Sequence, residues 1–237
     1  MVRIRDANWM QLEAYLERDD RIVLPLGSVE QHGYLSLAVD QILAERVAVE
    51  AAEPLGVPVL PALPYGLTPY FAAYPGSPSL TVETYRAVLR ELLESLHGQG
   101  FGRFLLVNGH GGNGAGRTAA DAFAAAHPGA QTRWHDWWNG PRTWSVVQSI
   151  DPDASHASWL ENFPWTRLPD VAVPQERKPM RDISAMRDGD PAAVRAALGD
   201  GSLGGLYERP EPDVLRVWRT GVEEVRDLIA NGWAARG

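Results

Sequence analysis

The chain has 237 residues, of which 45% are hydrophobic, and its formal net charge is −8. This size and apolar content predict a single α/β domain over residues 1–237, with a sizeable core. The acidic balance argues against a nucleic-acid-binding surface or an anionic-membrane surface. No cysteine is present, which excludes disulfides and thiolate zinc sites, so any metal must be held by His, Asp and Glu.

The N-terminus begins Met-Val-Arg-Ile-Arg-Asp and lacks the apolar core of a signal peptide. No apolar stretch approaches the roughly 20 residues that a membrane-spanning helix needs. From these features we expect a cytoplasmic protein without a membrane anchor.

The first half of the chain alternates predicted strands and helices. Asn8 is a predicted helix cap, and so is Thr81. The predicted helices cover Trp9–Leu16, Asp40–Glu53, a segment after Thr81, and 115–126, and the predicted strands cover Arg21–Leu26, Val57–Pro61, Arg103–Val107 and 130–138. This alternation favours an α/β/α three-layer sandwich with a mostly parallel central sheet.

The second half of the chain gives weaker signals. A short helix is expected within Asp151–Asn162, a last strand at Val171–Val173, and helices at Pro191–Leu198 and Asp213–Ala230. The segment 62–79 is rich in proline, glycine and aromatic residues, among them Tyr70. Its length predicts a structured loop that serves either function or an oligomer contact.

Polar residues that suit metal binding follow the predicted strands. Glu30 and His32 come after the first strand, two residues apart, and Asp40 stands just before a helical pattern. His110 follows the third strand within the turn Asn108–Asn113. Because ligands of doubly wound sheets bind at the carboxyl ends of the strands, we expect these side chains to meet there.

His156 and Glu161 add a third histidine and a further carboxylate to this set. A lone loop histidine is usually an ordinary hydrogen bonder, but three histidines that converge with carboxylates favour a metal site. The other three histidines, His97, His127 and His135, have ordinary structural explanations.

Two other readings of the turn Asn108–Asn113 are weaker. Its strand-to-helix position suits a phosphate-binding loop, but neither Gly-x-Gly-x-x-Gly nor the Walker Lys-Ser/Thr is present. A nucleotide-binding protein therefore ranks below a metalloprotein. A serine hydrolase ranks lower still, because no Gly-x-Ser-x-Gly elbow occurs.

These motifs together resemble those of the creatininase (creatinine amidohydrolase) family. The resemblance spans residues 20–165. It rests on Leu24–Gly33, Asp40, Tyr65–Pro75, Val107–Asn113, the pair Trp137-Trp138, and His156-Ala157 followed by Glu161.

The resemblance implies a two-metal centre holding Zn, Mn or Fe, in a homo-oligomer that is commonly a hexamer. The metal ligands would be Glu30, His32, Asp40, His110 and Glu161, with Asp40 as the bridging carboxylate. His156 would act as the catalytic residue near the scissile bond. Substrate-binding residues would be Trp137, Trp138, Tyr70 and Asn113.

Two departures separate the chain from creatininases proper. Those resemble Asn-Gly-His-Tyr-Glu-Asn at the histidine turn, whereas Gly111 and Gly112 stand here, so creatinine is a doubtful substrate and Glu161 must supply the missing oxygen ligand. In the segment 156–161, the late segment, Ser158-Trp159 replaces the usual Gly-Glu.

The sequence therefore predicts an amidohydrolase that cleaves an amide, cyclic amide or formamide C–N bond of a small molecule with a metal-activated water. Two alternatives stay open: a catalytically inactive protein that binds a metal or small ligand, and a peptidase of a cofactor-precursor peptide.

Overall fold

The sheet that organises the chain has three parallel strands in the order β1-β2-β3. The computed structural model describes residues 3–186 and 189–235. Strand β1 is Arg21–Leu26, β2 is Arg103–Asn108 and β3 is Gln131–Asp136. Arg21 pairs with Arg103, and Arg103 with Gln131, so the three strands end at the same edge.

A fourth, irregular segment extends the sheet beyond β1. Val59 pairs with Val23 and Leu63 with Leu26, each as an isolated parallel bridge. The predicted strand Val57–Pro61 is thus reduced to isolated bridges, because Pro58, Pro61 and Pro64 have no N–H to donate to a ladder. The chain crosses from this segment back to β2 on the other side of β1, which makes β1/β2 the switch point of the topology.

The described residues contain seven α-helices. They are α1 Trp9–Leu16, α2 Val39–Ala52, α3 Val82–Gly98, α4 Gly114–Ala126, α5 Pro141–Ile150, α6 Pro191–Leu198 and α7 Glu211–Asn231. Asn8 forms a capping box with Gln11, and the Thr81 side chain accepts from the backbone N–H of Thr84. Both predicted caps are confirmed, whereas α5 was not predicted.

The two faces of the sheet pack against different helices. Val23 and Leu105 point into a core shared with α2 and α7, while Ile22 and Phe104 point into a core shared with α1, α3 and α4. Such alternation follows from the two-residue period of a strand. The predicted three-layer α/β/α sandwich is confirmed.

The segment after α5 has little regular structure. A single 3-10 turn covers Trp159–Glu161, and the expected strand at Val171–Val173 is absent from this described stretch. In the described ranges no helix has both the length and the apolar character needed to cross a membrane.

Candidate metal centre

Six titratable side chains meet at the carboxyl edge of the sheet. Glu30 and His32 follow β1, Asp40 lies in the first turn of α2, and His110 follows β2; all four are buried. The late segment brings His156 and Glu161 to the same place. The structure thus brings together the six residues that the sequence analysis singled out as metal ligands and catalytic residue.

Asp40 lies between two imidazoles. Its Oδ1 is 3.1 Å from His32 Nε2, and its Oδ2 is 3.0 Å from His110 Nδ1. Glu30 Oε1 lies 3.3 Å from the same His110 nitrogen, and Glu161 Oε2 lies 3.7 Å from His32 Nε2. Each outer carboxylate therefore sits on one side of Asp40.

Backbone carbonyls orient the three imidazoles. His32 Nδ1 is 3.1 Å from the carbonyl of Glu30, His110 Nε2 is 3.0 Å from that of Leu67, and His156 Nε2 is 2.8 Å from that of Gln31. A ring nitrogen that donates to a carbonyl leaves the lone pair on the other nitrogen, which is how metal-binding histidines are commonly held. In the neutral rings the lone pairs of His32 Nε2 and His110 Nδ1 then face the carboxylates. His156 Nε2 also lies 2.9 Å from the side-chain amide nitrogen of Gln31.

Several polar atoms of this cluster are buried and form no well-aligned hydrogen bond. They are both carboxylate oxygens of Glu30, Oδ2 of Asp40 and Nε2 of His32, and their short contacts are the carboxylate–imidazole approaches described above. Buried polar atoms are nearly always satisfied, so carboxylate oxygens and imidazole nitrogens that crowd together without aligned hydrogen bonds suit a bound cation. The donor set fits Zn, Mn or Fe, which bind imidazole and carboxylate together.

The carboxylates and imidazoles of the cluster shift one another's pKa values. Burial alone lowers the pKa of His32, but the carboxylates of Asp40 and Glu161 outweigh it and raise that pKa to about 10. Burial raises the pKa of Glu161 to about 7. Burial and the charge of His32 together lower the pKa of His156 to about 4. Without a metal, His32 and His110 thus hold positive charge beside the carboxylates, because, despite burial, Glu30 and Asp40 raise the pKa of His110 as well.

Two sets of three ligand atoms share Asp40. Glu30, Asp40 and His110 form one set, and His32, Asp40 and Glu161 form the other, with the atoms of each set within 4.8 Å of one another. His156 enters only a third set, with Glu30 and His32.

A strained alanine aims the late segment at the cluster. Ala157 has φ 55°, in the left-handed region that residues with a Cβ rarely adopt, and its N–H donates to Glu161 Oε2 at 2.6 Å. His156 and Glu161 flank this turn and both reach the cluster. Such off-region backbone costs on the order of 1–3 kcal/mol and is typical of functional sites.

Gly112 has no room for a side chain. A Cβ there would lie 2.0 Å from the carbonyl oxygen of Leu67 and 2.4 Å from His110 Nε2. These two atoms form the contact that orients His110. The missing carboxylate of the histidine turn therefore cannot be accommodated in this backbone.

A cavity of about 220 Å³ opens onto the cluster. Tyr70 and Trp138 line it, as expected of substrate-binding residues. Trp137 does not line it, because the turn after β3 points its ring into the core against Phe163 and Trp218. Asn113 is not a wall residue either, since its buried side-chain amide bonds Leu67, Gly27 and Asn108. The structure therefore places these two predicted substrate-binding residues away from the cavity wall.

Sequence reasoning missed three contributors to this site. Phe71 stacks on His156 with ring centroids 4.9 Å apart, and only its place beside Tyr70 in the aromatic loop could have indicated it. Trp144 lines the cavity from α5, a helix that was not predicted. Gln31 orients His156 through both its backbone carbonyl, at 2.8 Å, and its side-chain amide nitrogen, at 2.9 Å, and its place between Glu30 and His32 could have indicated it.

Fold and site together define an α/β sandwich with a histidine and carboxylate metal centre at its switch point. The family model described as creatininase, creatinine amidohydrolase, matches residues 5–234. The chain belongs to the creatininase family.

Relatives of known function share this family but not one activity. A creatinine amidohydrolase of Pseudomonas putida is 31% identical over 116 residues, which cover 46% of this chain and less than half, 45%, of that protein. A mycofactocin precursor peptide peptidase of Mycolicibacterium smegmatis is 29% identical over 202 residues, covering 76% of this chain and 78% of the peptidase.

Solved creatininase structures have the same fold. One creatinine amidohydrolase superposes with a TM-score of 0.80 at 23% identity, covering 99% of both chains. A mutant creatininase of the Zn-Zn type gives 0.79 at 22% identity over 98% of both chains, and a Mn creatininase gives 0.77 at 23% over 99% of both.

Proposed function

We propose that this protein is a metal-dependent amidohydrolase that cleaves a C–N bond of a small molecule, such as an amide, a cyclic amide or a formamide. The observation that carries the proposal is the sharing of Asp40 between two ligand sets, each of which combines imidazole and carboxylate. A carboxylate with one oxygen in each set is suited to bridge two ions.

The proposal assigns two divalent ions to each chain. Glu30, Asp40 and His110 would hold one ion, and His32, Asp40 and Glu161 the other. Zinc and manganese are supported by the creatininases solved with them, and iron also suits these ligands. When bound, such ions lower the pKa of a water molecule and polarise an amide carbonyl.

His156 is the proposed proton carrier. Its Nε2 is tied to the carbonyl of Gln31, so Nδ1 faces the cluster and is free to accept the proton that an attacking water loses. The same nitrogen then delivers that proton to the leaving amide nitrogen. Phe71 packs against the ring and fixes its plane. Such general acid–base catalysis contributes about 10²–10⁴-fold.

The test is metal analysis followed by a substrate panel. Purified protein loaded with zinc or manganese should retain about two ions per chain and hydrolyse at least one member of a panel of cyclic amides, formamides and amides. Asp40→Asn should abolish both results. Full metal content with no turnover of any member would instead favour the inactive, ligand-binding alternative.

A second candidate is a peptidase. The coverage of the mycofactocin precursor peptide peptidase, 78% of its length, favours it. Release of a free amino acid or short fragment from peptide substrates, but not turnover of small amides, would select this candidate.

We also propose that residues 1–237 act as one domain in a cytoplasmic homo-oligomer, with a hexamer as the expected size. Both cores pack on the same sheet, and Trp9 and Met10 are large apolar side chains that are more than half exposed. Light scattering coupled to size exclusion would measure the number of subunits.

A further inference from the structure

The site cavity lies where two hydrophobic clusters meet above the metal centre. Phe71 and Ile183 belong to one cluster, with Tyr70 and Leu203 packed on it. Leu160 belongs to the large core beneath α2 and α7, and other wall residues pack on that core. The apolar and aromatic side chains of the cavity wall are Tyr70, Phe71, Trp138, Trp144, Ala154, Leu160, Ile183 and Leu203.

The charged groups of this cavity are confined to the metal centre. Among the described residues that line it, the titratable acids and histidines are Glu30, Asp40, His110, His156 and Glu161, and there is no lysine or arginine. The other polar wall groups in that set are the hydroxyls of Tyr70 and Ser155 and the indole N–H groups of Trp138 and Trp144, and the Ser155 hydroxyl already donates to the carbonyl of Gly204 at 2.6 Å. The described wall therefore holds few polar groups, and no positive side chain, for a hydroxyl-rich or anionic substrate.

The cavity is also small. Its volume is about 220 Å³, whereas pockets for drug-sized ligands measure roughly 300–1,000 Å³. A single ring together with the reacting amide is the size of group that suits such a space.

We infer that the substrate is a small amide whose non-reacting part is uncharged and apolar, best an aromatic or otherwise flat ring. This inference rests on the proposed amidohydrolase function and narrows its substrate class. An anionic group at the far end of the substrate would be buried among Trp138, Trp144 and Leu203, where the described part of the wall offers no lysine or arginine, which is costly. A polyol would lose hydrogen bonds to water that this wall does not replace.

Hydroxamic acids can test this inference without knowledge of the natural substrate, because they resemble amides and chelate metals. We would titrate zinc-loaded protein with benzohydroxamic acid, 4-carboxybenzohydroxamic acid and gluconohydroxamic acid by calorimetry. Benzohydroxamic acid should bind at least about tenfold more tightly than either of the others. Equal or tighter binding of the carboxylated or the polyol compound would overturn the inference. Failure of all three to bind protein of full zinc content would overturn the proposed function as well.

A paired substitution tests the role of the wall directly. Trp144→Arg places a cation at the cavity and should shift the preference toward 4-carboxybenzohydroxamic acid by about tenfold. Trp9→Arg, a matched change at an exposed position on α1, should leave the preference unaltered. An unchanged preference in a folded Trp144→Arg protein would overturn the inference. If that variant does not fold, the wild-type ranking of the three compounds still decides it.

Discussion

Carboxylates lie at both ends of the sheet, but their partners differ. At the amino end, Asp19 and Asp20 precede β1 and receive hydrogen bonds from strand arginines; Arg103 Nη2 is 2.9 Å from Asp19, and Arg21 Nε lies 2.9 Å from the same carboxylate. At the carboxyl end, no lysine or arginine of the described chain lies within ion-pair distance of Glu30, Asp40 or Glu161.

Cavity size alone would have selected the wrong end. A cleft of about 850 Å³, lined by Asp20, Gly102 and Ala130 among others, lies at the amino end and far exceeds the 220 Å³ cavity over the metal centre. The amino-end carboxylates pair with arginines, whereas those at the carboxyl end are buried with only imidazoles beside them. A buried cluster of perturbed carboxylates and histidines, rather than volume, identifies the candidate site.

The largest contrast should come from removing one carboxylate charge at each end. Asp40→Asn removes the negative charge that both ligand sets share and replaces one of the two carboxylate oxygens, so metal content should collapse and turnover of any substrate found should fall by more than roughly 100-fold, since even an indirect metal partner is worth 10- to 100-fold. Asp20→Asn should leave both unchanged. Elemental analysis and assays of the two proteins measure this. Equal metal content in both would contradict the assignment of Asp40.

Substitution of His156 should distinguish a role in proton transfer from a role in metal binding. His156→Gln should keep the metal content of the wild type, because His156 lies outside the two sets that share Asp40, and should lower turnover by about 10²–10⁴-fold. Elemental analysis beside kinetics checks both parts. Loss of metal in this variant would make His156 a ligand through its set with Glu30 and His32.

Removal of the metal should destabilise the protein, and the effect should depend on the ligands at the carboxyl end of the sheet. At a free zinc concentration about 100 times the Kd, binding adds about 2.7 kcal/mol. For a chain of this size that raises Tm by roughly 5–10 °C. Scanning calorimetry with chelator and with zinc measures the difference, and Asp40→Asn is the matched control that should show little of it.

The metal-free protein should lose stability as the pH rises. The pKa of His32 is about 10 in the fold, against about 6.5 in an unfolded chain, so the folded state holds the proton more tightly. Its contribution is fully present below pH 6.5 and is lost as the pH passes through 10. Urea unfolding of chelated protein at pH 6.5 and 9.5 should show this decline. Zinc-loaded protein should show a smaller decline, because the bound cation replaces the proton.

The smallest effect should come from the amino end. Arg103→Met removes contacts to Asp19 and Asp20, but these groups are partly exposed, so the loss should be about 1 kcal/mol or less. Metal content and turnover should not change. A loss of several kcal/mol would mean that this end, too, is an essential charged centre.

Local signals predicted the parts of the fold that local interactions determine. Helix α3 begins where Thr81 caps it, and β2 is a continuous apolar run, so both were read from sequence. Helix α5 was missed because Gly140 offers no side-chain cap; Glu224, far along the chain on α7, accepts from the N–H of Thr143 instead.

The residue types of the site could be predicted from the sequence, but the directions in which their side chains point could not. Glu30, His32, Asp40 and His110 follow strand ends or open a helix, so their convergence follows from topology. Trp137 and Trp138 are adjacent, and only the three-dimensional turn decides that the first packs in the core and the second faces the cavity. The reach of Glu161 likewise depends on the left-handed backbone of Ala157, for which an alanine gives no warning.

The closed space at Gly112 has a consequence for attempts to interconvert family members. Restoring a glutamate there by one codon change would push against the Leu67 carbonyl and tilt the His110 ring before the new oxygen reached any ion. The present backbone thus excludes a side chain at this point of the turn, whereas it brings Glu161 to the cluster from the other side. Any glutamate at position 112 requires remodelling of the loop around Leu67 together with the substitution.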